Sequence, residues 1–226
     1  KSEIMSDKPE RNEFFNNFNI VKEIFYQADE KLKIKLSKII LEGPEEQLQL
    51  TKNTQPAILT VSYSIFKVLK DEFNFNIQNF KYFAGHSLGE YSALVCAESI
   101  KFNDALYLLH ERGKAMQNAV PVGEGSMIAV LGSKIETIDE LIKQTKKNNQ
   151  VFEIANDNAE GQVIISGDKK SIDLFKDILK EKKIKTIPLK VSAPFHCSLM
   201  KPAAIEMTDK IDNTTFQPPK VNIVSN

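Results

Sequence analysis

Residues 12 to 41 mix polar and apolar positions, with Phe14, Phe15, Phe18, Val21 and Phe25 falling near helical spacing. One or two helices are expected there, with no strand before them. Further on, Ile58, Val61, Ile65, Val68 and Leu69 form an apolar stripe at three- and four-residue intervals, and Pro56 stands where that helix would start. The run FKYFAG at 80–85 reads as a short buried strand, and GHSLGEYSALVCAESI turns out of it into a helix. Another helix, roughly 102 to 118, ends before PVGEG, whose proline and glycines mark a domain boundary.

Past Ser126 the period changes. MIAVLG, the amphipathic helix IETIDELIKQTKK, VFEIAN, QVIISG, the helix SIDLFKDILKEKK and KTIPLKV follow in the order β-α-β-β-α-β. That order matches the ferredoxin-like unit, in which two helices cover one face of a four-stranded antiparallel sheet. Residues 154–155 and 163–165 are expected as its central pair, joined through the turn-rich NDNAEG. After Pro194, FHCSLMKPAAIEM reads as a loop and a helix that return to the first domain, before the apolar VNIV. The expected organisation is α/β, with 1–122 and 193–226 forming one discontinuous domain and 123–192 the ferredoxin-like subdomain.

Composition narrows the function classes. The 226 residues are 42% hydrophobic and 27% charged, enough for one large core with a satellite. Lys plus Arg and Asp plus Glu both count 30, so no overall field favours nucleic acid or an anionic membrane. No run approaches the roughly 18 apolar residues of a membrane span, and KSEIMSDKPERNEFF lacks the basic-then-apolar order of a secretory signal. A soluble chain with neither nucleic acid nor membrane as partner is expected. Cys96 and Cys197 have no metal-ligand spacing, so no metal site is expected and a reducing compartment fits best.

The chemistry-bearing motif is Gly85-His86-Ser87-Leu88-Gly89, a G-x-S-x-G between a strand and a helix. A nucleophilic serine needs such a sharp turn so that its hydroxyl projects clear of the sheet, and the flanking glycines permit it. Ser87 is the candidate nucleophile. The amide of Leu88, at a helix N-terminus, can donate to the oxyanion formed as Ser87 attacks. The bland alternative is a serine that merely caps the helix. Three histidines are available as base: His86, His110 and His196. His86 adjoins the serine on a turn that points neighbours apart, and His110 lies mid-helix. His196 follows a strand-like run in a loop and comes after the serine, as α/β-hydrolase order requires. A dyad of Cys197 with His196 ranks below the pair Ser87 and His196, because consecutive residues rarely face each other.

These residues resemble the malonyl-CoA to acyl carrier protein transacylases, relatives of the acyltransferase domains of polyketide and fatty acid synthases. The likeness rests on TQPAILT at 54–60, GHSLGEYSALVCA at 85–97, RGKAMQNAVPVGEGSMIAVLG at 112–132, NDNAEGQVIISG at 156–167 and APFHCSLMKPA at 193–203. It implies a hydrolase-like α/β domain with a parallel sheet and nucleophile elbow, interrupted by a ferredoxin-like insertion. It also implies that Ser87 is acylated, His196 is its base, the Leu88 amide is one oxyanion donor, and Arg112 grips the free carboxylate of malonyl. A planar guanidinium suits that task because it can hold a carboxylate through two parallel hydrogen bonds. Without the resemblance, Arg112 would read as a solvated surface charge. Phe195 corresponds to an aromatic whose bulk discourages methylmalonyl. Met116 would be pocket wall, and Asn156 and Asn158 would line the pantetheine approach, with core or turn roles as the alternatives.

The implied reaction moves malonyl from malonyl-CoA to the pantetheine thiol of acyl carrier protein, with no cofactor beyond the coenzyme A thioester substrate. The compartment implied is bacterial cytoplasm or a plastid or mitochondrial matrix, and a monomer is the expectation. Against the family's pattern, the glycine-rich loop whose glutamine supplies the other oxyanion donor has no counterpart in this sequence. Neither has the C-terminal region that orients the histidine, so part of a longer protein is expected. The rival readings are a serine esterase or thioesterase, which has no need of Arg112, and a non-catalytic module that binds carrier proteins.

Overall fold

The computed structural model describes residues 8–121, 123–189, 191 and 193–225. Five helices come first: α1 (Lys8–Asn17), α2 (Asn19–Leu32), α3 (Leu36–Leu41), α4 (Glu45–Gln49) and α5 (Thr51–Glu72). Strand β1 (Tyr82–Ala84), α6 (Gly89–Cys96) and α7 (Phe102–Ala119) follow. Then come β2 (Gly125–Leu131), α8 (Ile135–Thr145), β3 (Phe152–Ala159), β4 (Gln162–Asp168), α9 (Lys169–Glu181), β5 (Lys185–Pro188), α10 (Lys201–Asp212) and β6 (Asn222–Val224). Two compact units result, one of residues up to Gly113 with those from Met207 on, the other Lys114–Glu206. Among the described residues no helix is long and apolar enough to cross a membrane.

In the first unit α2 buries Val21, Ile24, Phe25 and Ala28, one face of a 3.6-residue period, and packs on α5. Helix α5 starts at Thr51, so Pro56 lies inside it rather than at its start. Its buried face also differs from the expected stripe: it runs through Ala57, Thr60, Val61, Ser64 and Val68, whereas Leu69 is exposed. Hydroxyls can occupy that face because Thr60 Oγ1 donates to the Pro56 carbonyl and Ser64 Oγ to the Thr60 carbonyl, both at 2.8 Å. Strand β1 is parallel to β6, with Phe83 opposite Ile223. It is not the buried strand the sequence suggests, since Tyr82 is 61% exposed and only Phe83 turns inward, against Phe66 and Phe75.

In the second unit the β-α-β-β-α-β order holds, and the antiparallel sheet runs β3-β4-β2-β5. Its central strands are therefore β4 and β2, and the segment around Ile154 lies at an edge. The hairpin between β3 and β4 is also tighter than expected. Asn156 to Ala159 belong to the strand, with irregularities at Ala155 and Asn158, and only Glu160 and Gly161 make the turn. An edge strand accommodates such bulges, and Gly161 supplies the required positive φ of 75°. Helices α8 and α9 bury Ile138, Leu141, Ile142, Ile172, Phe175 and Leu179 on one sheet face, where the Phe152 and Phe175 rings stack with centroids 4.7 Å apart.

Candidate active site

The turn between β1 and α6 holds Ser87 at φ +53°, a region that costs a non-glycine residue about 1 kcal/mol or more. Local bonds compensate: the Gly89 N–H donates to the His86 carbonyl at 2.9 Å, and the Glu90 N–H to the Ser87 carbonyl at 3.1 Å. The turn can close only because residue 85 has no side chain. A Cβ there would lie 2.0 Å from the carbonyl carbon and oxygen of Gly89. Gly89 itself faces no atom within 4 Å, so the two glycines of the motif are not equivalent. The Leu88 N–H has no acceptor among the described residues, and it stands at the start of α6, where helix polarity favours negative charge.

Arg112 reaches the serine from α7. One guanidinium nitrogen donates to Ser87 Oγ at 3.1 Å and the other to Gln55 Oε1 at 2.5 Å. Gln55 is 3% exposed, and its amide nitrogen donates to Thr51 Oγ1 at 3.0 Å, which fixes its oxygen toward the arginine. Burial holds the Arg112 guanidinium below its ordinary value, opposed by the phenol of Tyr91. The same burial raises Tyr91. Among the described residues both hydrogen-bond partners of Arg112 are neutral, an arrangement chemically suited to an anionic group.

Close packing of α7 on the start of α5 sets this geometry. A Cβ at Gly113 would come within 2.5 Å of Lys52 Cα and the Thr51 carbonyl oxygen. His110, one turn before, donates from Nδ1 to the Lys52 carbonyl at 2.9 Å, so it serves the helix contact, as its mid-helix position suggested.

The remaining sequence candidates lie in the second unit. His196 has φ +58° in the loop between β5 and a short 3-10 turn at Ser198–Met200. Phe195 packs beside Met127, Ala129 and Ile164 on the sheet face opposite the helices, and Asn156 is paired in register with Ile164. Asn158 is exposed at its bulge, and Met116 is buried on α7, one turn beyond Arg112. Cys197 does not suit a dyad: burial pushes its thiol above its ordinary value, and Sγ donates to the Pro194 carbonyl at 3.2 Å. Among the described residues no three metal-ligating side chains gather as a metal ion would require.

The sequence reading gives Gln55 no role, although TQPAILT is one of the segments on which the resemblance rests. The available signal was a glutamine set on the apolar side of an amphipathic helix. Its partner is 57 positions away, and periodicity cannot supply such a pairing.

A strained serine on a strand-to-helix turn, beside a half-buried arginine whose hydrogen-bond partners among the described residues are neutral, is the arrangement of a serine acyl-transfer enzyme. The chain belongs to the acyl transferase domain family, which matches residues 20–226. It is 41% identical over 215 residues to the malonyl CoA-acyl carrier protein transacylase of Bacillus subtilis, covering 95% of this chain and 67% of that one. Among solved structures, the acyl-carrier-protein-S-malonyltransferase from Bartonella henselae superposes with a TM-score of 0.90 at 38% identity, over 96% of this chain and 69% of that one. A malonyl-transacylase in complex with a type II PKS acyl-carrier protein superposes with a TM-score of 0.88 at 39% identity, over 94% and 68%. The chain thus spans about two thirds of the length of these relatives.

Proposed function

We propose that the chain carries the acyl-transfer site of a malonyltransferase that takes malonyl from malonyl-CoA and gives it to the pantetheine thiol of an acyl carrier protein. The observation that carries this reading is the 3.1 Å bond from the Arg112 guanidinium to Ser87 Oγ. In malonyl a single methylene separates the carboxylate from the thioester carbonyl, so the two carbons are about 2.5 Å apart. An acyl group gripped by Arg112 would therefore present its carbonyl to the neighbouring hydroxyl only if it is that short. The relatives' names, and the complex of one with an acyl-carrier protein, support the same donor and acceptor.

Ser87 Oγ attacks the thioester carbon as its proton passes to His196, and the Leu88 N–H stabilises the oxyanion. Collapse breaks the carbon–sulfur bond, and coenzyme A leaves with the proton that His196 returns. The malonyl ester on Ser87 is then attacked by the carrier's pantetheine thiol, deprotonated by His196. Collapse of that second intermediate forms the malonyl-carrier thioester and restores the serine hydroxyl. Orientation lets the thiol outcompete water, an effect that can reach several orders of magnitude, on the order of 10⁵ or more. Phe195 narrows the choice against branched acyl groups, and Met116, Asn156 and Asn158 line the substrate path.

Mass spectrometry after incubation with malonyl-CoA tests the reading. The expected result is a malonyl ester on the Ser87 peptide that discharges onto added phosphopantetheinylated carrier protein, with no ester in Ser87→Ala and none in His196→Ala on the same timescale. Release of free malonate with no malonyl-carrier product would instead make the protein a hydrolase and overturn the proposal.

A further inference from the structure

The base assigned above occupies a strained position. His196 has φ +58°, which a non-glycine residue keeps only where its neighbours over-determine it. On its N-terminal side the loop is wedged: Pro194 fills the space a Cβ of Gly125 would need, its ring atoms 2.3 to 2.9 Å from that point. On its C-terminal side the chain is held by one carboxylate. Glu153, on β3, accepts the Ser198 N–H at Oε2 and the Ser198 hydroxyl at Oε1, both at 2.8 Å. Lys146 steadies the same carboxylate from the end of α8, 3.3 Å from Oε1. Two donors from one residue to one carboxylate fix direction as well as distance, and Ser198 lies only two residues past the imidazole.

We infer that Glu153 is a positioning residue for His196: it anchors the returning chain to the edge strand of the ferredoxin-like sheet and so holds the imidazole in its strained orientation. The inference rests on His196 being the base, and it goes beyond that assignment by naming what orients it within its own unit. Glu153 forms no triad with the histidine; it acts through the backbone and hydroxyl of Ser198. The charge state agrees. Burial alone would raise the Glu153 carboxyl, but the Ser198 donors and Lys146 outweigh it and hold the group below the usual carboxylate range.

Glu153→Ala and Glu153→Gln separate this role from simple stability. A glutamine can still accept the Ser198 N–H and donate to its hydroxyl, so it keeps the tether and loses only the bond to Lys146. For Glu153→Ala the expected result is a fall in kcat of about 10- to 100-fold, the scale on which ångström-sized misplacement acts. KM for malonyl-CoA should stay unchanged, and amide exchange at Ser198 should quicken. Glu153→Gln should stay near wild type in all three. Rates are expressed per active site, counted from the burst of coenzyme A release, so that loss of folded protein does not enter. A wild-type kcat per site in Glu153→Ala overturns the inference, as does an equal loss in the glutamine variant. His196→Ala is measured alongside: full turnover there would remove the base assignment, whereas its loss together with an unimpaired Glu153→Ala would remove only the positioning role.

Discussion

Pro56 and His110 are joined through a single carbonyl. Proline has no N–H to give the i−4 oxygen of its helix, so the Lys52 carbonyl lacks its usual donor, and His110 Nδ1 donates to it from α7 at 2.9 Å. A proline inside α5 thus creates the acceptor that a histidine on another helix uses, beside the glutamine and arginine of the site.

His110→Ala should therefore lower stability by about 1 kcal/mol, the net worth of one hydrogen bond. Gly113→Ala should cost more, roughly 1–3 kcal/mol, because its Cβ would meet backbone at 2.5 Å and the helices would have to part. Urea unfolding curves give both values. The reverse order, or an unmoved midpoint in both, would show that this helix contact does not support the fold.

The two glycines of the elbow should respond in opposite ways. Gly85→Ala places a methyl 2.0 Å from Gly89 backbone and should abolish acylation of Ser87. Gly89→Ala meets nothing within 4 Å in a helical position where alanine is favoured over glycine by up to about 1 kcal/mol, so its melting temperature should hold or rise. Thermal melts and intact mass after malonyl-CoA test the pair. Equal damage from both substitutions would contradict the asymmetry.

What could be read from the chain was what is local. Ser87 and Leu88 sit in five consecutive residues, and the β-α-β-β-α-β order follows from two amphipathic helices among four apolar runs. The sheet's centre could not be read that way. Adjacency in sequence shows that β3 pairs with β4, but β2 becomes central only by pairing with both β4 and β5, across longer separations. The buried face of α5 was misplaced because Thr60 and Ser64 look polar while bonding back into their own helix. Arg112 was reached only through the family resemblance. Gln55 and Glu153 were missed because each acts on a residue 57 and 45 positions away.

Neither cysteine should behave as a reactive thiol. Burial pushes Cys96 up to about 12 and raises Cys197 as well. At pH 8 the Cys96 thiolate would be roughly one part in 10,000, and the thiolate is the reactive form. A chromogenic disulfide reagent should titrate no thiol quickly in the native protein and two in denaturant. Rapid native labelling of Cys197, with loss of transfer, would reopen its candidacy as nucleophile.

Under the proposed function the arginine decides which acyl groups are accepted. Arg112→Ala should lower kcat/KM for malonyl-CoA by about 30- to 1,000-fold, since losing a buried charge partner costs roughly 2–4 kcal/mol. Acetyl-CoA, which offers no carboxylate, should be a poor substrate for the wild type and lose nothing in the variant. Its relative standing therefore rises. Arg112→Lys should fall between, because a single ammonium cannot contact Gln55, Ser87 and a carboxylate with the reach of a planar fork. Succinyl-CoA adds one methylene and about 1.3 Å of span, which moves its carbonyl off the hydroxyl next to Arg112, so wild-type acylation by it should be slow. Single-turnover acylation of Ser87 with the three thioesters measures all of this. A variant lacking Arg112 that still prefers malonyl to acetyl by the wild-type ratio would show that selectivity lies elsewhere.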